Sequence, residues 1–136
     1  MTKNNVLWSS DVASYVPSPV VQGGHLYFVN ELGFAICLDV KTGSVLHRER
    51  LPGVTSIGRG GKPVYASPVL VGNHLYAVSQ RHGTFVLAAT PQMTVVSQNS
   101  FAADDSEFNA SPAISGDQIF LRSNRYLYCV KSGAGD

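Results

Sequence analysis

Three stretches of the chain share one internal pattern: Ser18-Pro-Val-Val-Gln-Gly-Gly-His-Leu-Tyr-Phe-Val29, Ser67-Pro-Val-Leu-Val-Gly-Asn-His-Leu-Tyr-Ala-Val78 and Ser111-Pro-Ala-Ile-Ser-Gly-Asp-Gln-Ile-Phe-Leu-Arg122. Ser-Pro opens each copy. A glycine follows five positions after the serine, and an aliphatic–aromatic pair begins eight positions after it. The three serines are 49 and then 44 residues apart. Short apolar runs at a period in the forties are typical of the blades of a β-propeller.

Each copy predicts a series of short antiparallel strands separated by turns. The proline fits the first residue of a strand, and the pairs Gly23-Gly24, Gly72-Asn73 and Gly116-Asp117 predict two-residue hairpin turns with positive φ. No stretch shows the sustained i, i+3, i+4 apolar spacing of a helix. The predicted strands are 19–21, 25–30, 34–40 and 44–51 in copy one, 68–71, 74–80, 84–90 and 94–101 in copy two, and 112–114, 118–123 and 126–131 in copy three.

We therefore predict one all-β domain over residues 1–136, a propeller of four-stranded antiparallel blades with three blades per chain. Blade one spans 14–51, blade two spans 65–102, and blade three spans 109–131 together with an N-terminal strand at 6–12. That strand brings the expected count to three full blades. A β-sandwich is the alternative, but a sandwich has no reason to repeat Ser-Pro in register.

The best copy continues into Gly33-Phe-Ala-Ile-Cys-Leu-Asp-Val-Lys-Thr-Gly43. This pattern resembles the pyrroloquinoline-quinone (PQQ) repeat of quinoprotein-like propellers, in which a strand ending in aspartate leads to a Lys-Thr-Gly turn. The resemblance extends from Trp8 to about Lys131. Copies two and three depart from it at the turn, with Ala88-Ala89-Thr90-Pro91 and Val130-Lys131-Ser132-Gly133.

The resemblance implies a fold more than an activity, since these repeats occur in dehydrogenases, kinase sensor domains and outer-membrane assembly lipoproteins. The dehydrogenases sandwich their quinone between a tryptophan and a vicinal disulfide and hold calcium beside it. This chain has one tryptophan, Trp8, and no adjacent cysteine pair. We therefore expect no quinone, no other cofactor and a non-enzymatic scaffold or binding module. The alternative is a fragment of a PQQ-like oxidoreductase or hydrolase with its site at the central channel.

Composition narrows the range of partners. Hydrophobic residues make up 44% of the chain and charged residues 14%, and the formal net charge is +1. These values predict a folded protein that binds no nucleic acid, and no apolar run approaches the roughly 20 residues that insert in a membrane. The N-terminus, Met1-Thr2-Lys3-Asn4-Asn5, is not a signal segment. Both a cytoplasmic protein and a trimmed part of an exported parent fit the sequence, so the compartment stays open.

Three blades leave two apolar faces open, whereas closed propellers have four to eight blades. The chain is then either a piece of a longer propeller or half of a six-bladed ring made by a homodimer. We favour the homodimer, with strand 6–12 crossing to complete blade three of the partner. Cys37 and Cys129 fall at equivalent third-strand positions, too far apart for a disulfide, and we expect both to be buried, reduced thiols.

The loops after each second strand and the linkers between blades should share one face, where propellers usually meet ligands. The longest linker, 52–65, is rich in glycine. The cluster Asp104-Asp105-Ser106-Glu107 predicts either a calcium site or, more simply, a solvated turn. We assign no catalytic and no metal-binding residue. The candidate face, for a protein or small-molecule partner, comprises Arg59, Tyr65, Arg81, His82, Asp104, Asp105, Glu107 and Arg125, with Glu31 and Asn109 beside them.

Overall fold

The computed structural model describes residues 5–56 and 58–131, and it consists of three antiparallel sheets. The strands are β1 (Val20–Gln22), β2 (His25–Val29), β3 (Phe34–Asp39), β4 (Val45–Arg50), β5 (Val69–Val71), β6 (His74–Val78), β7 (Thr84–Ala88), β8 (Val95–Asn99), β9 (Ala113–Ser115), β10 (Gln118–Arg122) and β11 (Leu127–Lys131). Their orders are β1-β2-β3-β4, β5-β6-β7-β8 and β11-β10-β9, which we call blades one, two and three. The all-β prediction is confirmed. This described part of the chain contains no helix long and apolar enough to cross a membrane.

Tight turns join the first two strands of every blade. Gly23 and Gly24 have φ of 58° and 80°, and Gly72 and Gly116 have φ of 55° and 57°. A side chain rarely adopts this left-handed region, so glycine is required at the first turn position. Asn73 and Asp117 do not have positive φ, which differs from the expectation that both residues of each pair would. In blades two and three, only the first of the two turn positions is left-handed.

The turn between β3 and β4 is held by Asp39, the last residue of β3. Its carboxylate Oδ1 accepts the backbone N–H groups of Lys41 at 2.9 Å and Thr42 at 2.8 Å. Because the Thr42 bonds favour the charged form, the pKa of Asp39 lies below its ordinary value. Gly43 then closes the turn at φ 72°, and Met93 takes the corresponding place in blade two at φ 47°.

Most of the core lies between blades one and two. Residues alternate sides along a strand, so one face of each blade points at its neighbour. At this junction blade one contributes Tyr27, Val29, Ala35 and Cys37, blade two contributes Leu75, Ala77, Phe85 and Leu87, and the linker adds Leu51, Val54 and Val64. None of these side chains is more than 3% exposed. Burial of each large apolar side chain contributes roughly 1.5–3 kcal/mol, so this junction is the main source of stability.

A smaller cluster joins blades two and three. It contains the buried residues Ala66, Val78, Phe108 and Leu121, with Phe101, Ile119 and Tyr128 packed against them. The residues of blade three in this cluster, Ile119, Leu121 and Tyr128, hold the same repeat positions as Leu26, Phe28 and Ile36 of blade one. One face of each blade therefore always points towards the blade before it in the chain.

Residues 6–12 form no strand within the chain, and blade three accordingly has three described strands rather than the expected four. Trp8 and Val12 instead pack against Phe28, Ile36 and Leu38 on the outward face of blade one. The indole Nε1 of Trp8 donates to the backbone O of Val40 at 2.8 Å. A strand needs a neighbouring strand to pair with, and no strand among residues 5–56 and 58–131 pairs with this segment. Its pairing with a second copy stays a prediction.

The two cysteines lie in different environments. Cys37 is fully buried at the junction of blades one and two, and burial followed by the nearby charge of Asp39 raises its thiol pKa to about 11. Cys129 is exposed, so the prediction that both thiols are buried is wrong for Cys129 within the single chain. Its side chain lies on the face of blade three that points away from blade two, where no described residue covers it.

Candidate functional site

Backbone hydrogen bonds join the loop after the second strand of each blade to a linker between blades, at one end of the blades. Val64 N–H donates to the carbonyl of Glu31 at 3.4 Å, and Phe108 N–H donates to the carbonyl of Gln80 at 3.0 Å. In the same way Asn124 N–H donates to the carbonyl of Glu107 at 2.9 Å. Each linker is thus bonded to the loop after a second strand, and their side chains share one surface.

A cavity of about 270 Å³ opens on this surface between blade two and the linker that follows it. Its walls come from the β6–β7 loop, the end of β8 and the linker 100–110. The residues that line it are Arg81, Gly83, Thr84, Asn99, Ser100, Phe101, Asp104, Asp105, Ser106 and Phe108. Three of the predicted candidate residues, Arg81, Asp104 and Asp105, are therefore brought together here.

Asp104 is the most strongly held carboxylate of the site. Its Oδ1 accepts the backbone N–H of Ser106 at 3.0 Å and the Ser106 hydroxyl at 2.6 Å, while Oδ2 accepts the Tyr128 hydroxyl at 2.7 Å. These bonds, that from the Ser106 hydroxyl foremost, hold the pKa of Asp104 far below its ordinary value. Burial and the bond to Asp104 raise the pKa of Tyr128 to about 12. Asp104 therefore anchors the linker to blade three.

The other two carboxylates of the acidic cluster pair with arginines. Arg81 Nη2 lies 2.7 Å from Glu107 Oε1, and Arg125 Nη1 lies 2.8 Å from Asp105 Oδ1. The bond from Arg81 is the main cause of the lowered pKa of Glu107. Exposed pairs of this kind contribute about 0–1 kcal/mol each, so they position the loops more than they stabilise the fold.

The acidic cluster does not converge on a cation site. Its three carboxylates turn towards a serine, an arginine and a second arginine. Across residues 5–56 and 58–131, no group of three or more His, Cys, Asp or Glu side chains could hold a metal ion. For Asp104-Asp105-Ser106-Glu107 the sequence allowed a calcium site or a solvated turn, and these hydrogen bonds and ion pairs favour the solvated turn.

Aromatic stacking is a feature of the site that the sequence analysis missed. The Phe101 ring centroid lies 3.9 Å from that of Tyr128 with an interplanar angle of 13°, and 5.8 Å from that of Phe108. Tyr128 occupies the repeat position of Ile36 and Phe85, both fully buried. That register predicts packing against blade two, and it is the signal that could have found Tyr128.

The remaining candidates lie apart from the cavity walls. His82 is fixed through its backbone, because its N–H donates to Ser79 Oγ at 2.9 Å and its carbonyl accepts Gln98 Nε2 at 2.7 Å. Arg59 is exposed and Tyr65 is half-buried in the long linker, and neither lines the cavity. Glu31 lies 3.8 Å from Lys62 Nζ, and Asn109 accepts a bond from Gln80 Nε2 at 3.0 Å.

The cavity walls combine polar side chains with an aromatic ring. Asn99, Ser100 and Thr84 present amide and hydroxyl groups beside the Phe101 ring. The serine nearest a carboxylate, Ser106, donates its hydroxyl to Asp104 rather than to a histidine. Polar groups around an aromatic ring suit a small polar ligand or a peptide loop.

No protein-family model and no curated protein sequence matches the chain. Among solved structures, it is similar to BamB from Moraxella catarrhalis, with 13% identity and a TM-score of 0.70 over 92% of this chain. BamB is a β-propeller protein. The fold of this chain is that of a β-propeller segment. The predicted fold class is thus confirmed, and the segment spans 36% of the length of BamB. The computationally designed protein Ika4 is 10% identical, with a TM-score of 0.49 over 95% of this chain and 99% of its own.

Proposed function

We propose that the chain is a non-enzymatic propeller scaffold or binding module of the PQQ-like repeat type that closes into a six-bladed ring with a second copy. Residues 6–12 complete blade three of the partner, and the loop surface around the cavity of Arg81 and Asp104 is the face offered to a protein or small-molecule partner. The observation that carries the proposal is the match between the exposed far face of blade three and the preceding face of blade one, part of which Trp8 and Val12 already cover.

The two end faces are the two halves of a junction that the chain already makes internally. The preceding face of blade one carries Leu26, Phe28, Ile36 and Leu38, and the equivalent face of blade two packs against blade one. The far face of blade three carries Phe120, Leu127 and Cys129 where blade one packs Tyr27, Ala35 and Cys37 against blade two. Joining the end faces of two copies repeats this interface, a contact between unlike faces that two copies close twice.

The junction between copies is not identical to the internal one. Arg122 stands at the position of Val29, so the far face of blade three is more polar at one corner. The aliphatic part of an arginine can cover apolar surface while its guanidinium reaches solvent. Leu127, 71% exposed in the single chain, offers the largest apolar gain on association.

Thiol labelling tests this proposal directly. In the ring Cys129 is covered by blade one of the partner as Cys37 is covered by blade two. We expect native protein at high concentration to react slowly at both cysteines, and dilution to accelerate labelling at Cys129 alone. Denatured protein, in which both thiols react, is the control. Rapid labelling of Cys129 at every concentration would contradict the ring.

Two further measurements address the non-enzymatic part of the proposal. Metal analysis and the absorbance spectrum of the purified protein are expected to show neither a stoichiometric metal nor a quinone chromophore. Either of them would favour the alternative, a fragment of a PQQ-like oxidoreductase or hydrolase with a site at the central channel.

A further inference from the structure

The outer edge of blade three is the place where the proposed ring requires an additional strand. β11 pairs with β10 on one side, and no described strand pairs with its other side. Leu127 and Val130 on this strand are 71% and 36% exposed. An unpaired edge with apolar side chains is a ready template for another strand.

The start of the chain repeats the sequence of the outer strands. Val6-Leu7-Trp8 corresponds to Val45-Leu46-His47 in β4 and to Val95-Val96-Ser97 in β8. Each of these segments is followed by a linker and then by the Ser-Pro that opens the next blade. By position along the chain, residues 6–10 are therefore the outer strand of a blade that precedes blade one.

Both complete blades pair their outer strand in the same irregular register. Leu38 lies opposite Val45 and Cys37 opposite His47, so Leu46 is an extra, bulged residue. The same shift places Leu87 opposite Val95 and Val86 opposite Ser97, with Val96 as the bulge. The bulged side chains are 47% and 57% exposed, and their counterpart Leu7 is 92% exposed. The N-terminal segment thus shares the residue pattern of the outer strands and has an exposed aliphatic side chain at the position of their bulge.

Trp8 already holds this segment in place against blade one. Its indole donates to Val40 and lies over Gly43, where an added Cβ would overlap the ring. His47 lies near the corresponding turn of blade two, because it lines one cavity together with Gln92 and Met93. An outer-strand residue therefore lies beside the β3–β4 type turn of the following blade in both places, in contact at Trp8 and across a cavity at His47.

We infer that residues 6–10 pair with β11 of a second copy in the bulged register of β4 and β8, an inference that rests on the proposed ring. Val6 then lies opposite Val130 of the second copy and Trp8 opposite Cys129. Ser10 lies opposite Leu127, as Glu49 lies opposite Ala35 in blade one. Trp8 holds residues 6–10 against blade one of its own chain before the two copies associate.

Engineered disulfides test the register. In a Cys129→Ser background, Ser10→Cys with Leu127→Cys places two thiols on the same face of facing strands, within reach of a disulfide. Ser9→Cys with Leu127→Cys is the matched control, because adjacent residues point to opposite faces. Mild oxidation of the purified full chain is expected to link nearly all of the first variant into a covalent dimer and little of the second, as read on a denaturing, non-reducing gel.

The outcomes separate the register from the ring. A dimer by solution mass in which S9C with L127C cross-links as well as S10C with L127C, or in which neither does, overturns the register but not the ring. A monomeric parent chain overturns both. If the first pair impairs folding, Val6→Cys with Val130→Cys tests the same register at its other end, and its failure to cross-link in a dimer overturns the inference equally.

Discussion

At the scale of single residues, the packing of the Trp8 indole on blade one requires a glycine at position 43. Gly43 has φ 72°, and a Cβ there would overlap the indole ring of Trp8. Gly24 has a similar φ of 80°, but nothing lies within 4 Å of its Cβ position. Substitution of Gly24 therefore measures the free-energy cost of a left-handed backbone alone. Substitution of Gly43 measures the same cost together with that of displacing Trp8.

We predict that Gly43→Ala is more destabilising than Gly24→Ala. An alanine in the left-handed region costs roughly 1–2 kcal/mol at either site. The overlap with Trp8 adds about 1–3 kcal/mol at Gly43 alone. Denaturant unfolding measures both variants, and in a Trp8→Ala background the difference between them should disappear. Equal effects in the parent background would show that Trp8 does not dock on this turn.

Asp104 makes the free energy of unfolding depend on pH in the acidic range. Its folded-state pKa lies well below the ordinary value of about 3.9, so the unfolded chain takes up the proton first as the pH falls. The stabilisation by Asp104 is therefore complete above about pH 5 and is lost progressively as the pH drops below about 4.

We predict that Asp104→Asn lowers the melting temperature at pH 7 and flattens its fall between about pH 5 and pH 3. Asp117→Asn is the matched control, because Asp117 pairs only with Lys131 at the surface among the described residues. Thermal melts across this pH range compare the two variants with the parent chain. A parallel fall in the parent and in D104N would contradict the role of the Asp104 bonds.

At the scale of elements, the serines that precede the inner strands form a ladder between blades. Ser18 N–H donates to Ser67 Oγ at 2.8 Å, and Ser67 N–H donates to Ser111 Oγ at 2.9 Å. In the proposed ring, Ser111 N–H would donate in the same way to Ser18 Oγ of the second copy. Within the described residues of one chain, the Ser18 hydroxyl makes no such bond, whereas the Ser67 hydroxyl does.

We predict that Ser18→Ala weakens association of the copies about tenfold and leaves unfolding of the single chain unchanged. Two bonds per ring at about 0.5–1.5 kcal/mol each account for this effect. Ser67→Ala is the control, since it removes a bond inside the chain and leaves the junction between copies intact. Sedimentation over a concentration series measures the association. An unchanged dissociation constant for S18A would contradict the continued ladder.

The repeat made the strands predictable, because turn glycines and Ser-Pro fix where each strand starts. The predicted strand 25–30 is observed as His25–Val29, and 44–51 as Val45–Arg50. The exposure of Cys129 was not predictable in this way, since the same repeat position is buried in blade one. Burial depends on the next blade, and the repeat pattern does not state whether that blade belongs to the same chain.

The candidate site was predictable only in outline. The fold assigns the loops to one end of the blades, so Arg81, Asp104 and Asp105 were expected on one surface, and the three residues line one cavity. The pairing of Arg81 with Glu107 joins residues 26 apart in different loops. Side-chain partners across loops depend on loop conformation, which no periodic pattern encodes.

At the scale of the whole molecule, three blades present unlike apolar faces at their two ends. The chain also carries, at its start, a segment that matches an outer strand and docks on blade one. In the proposed ring a second copy complements both features at once, and two such junctions would close the ring. The proposed ring therefore has twice the mass of one chain.

Light scattering on a sizing column measures that mass most directly. We expect a single species of about twice the 14.5 kDa of one chain at high protein concentration. A folded monomer of 14.5 kDa, or a ladder of growing multiples, would contradict a ring closed by two copies.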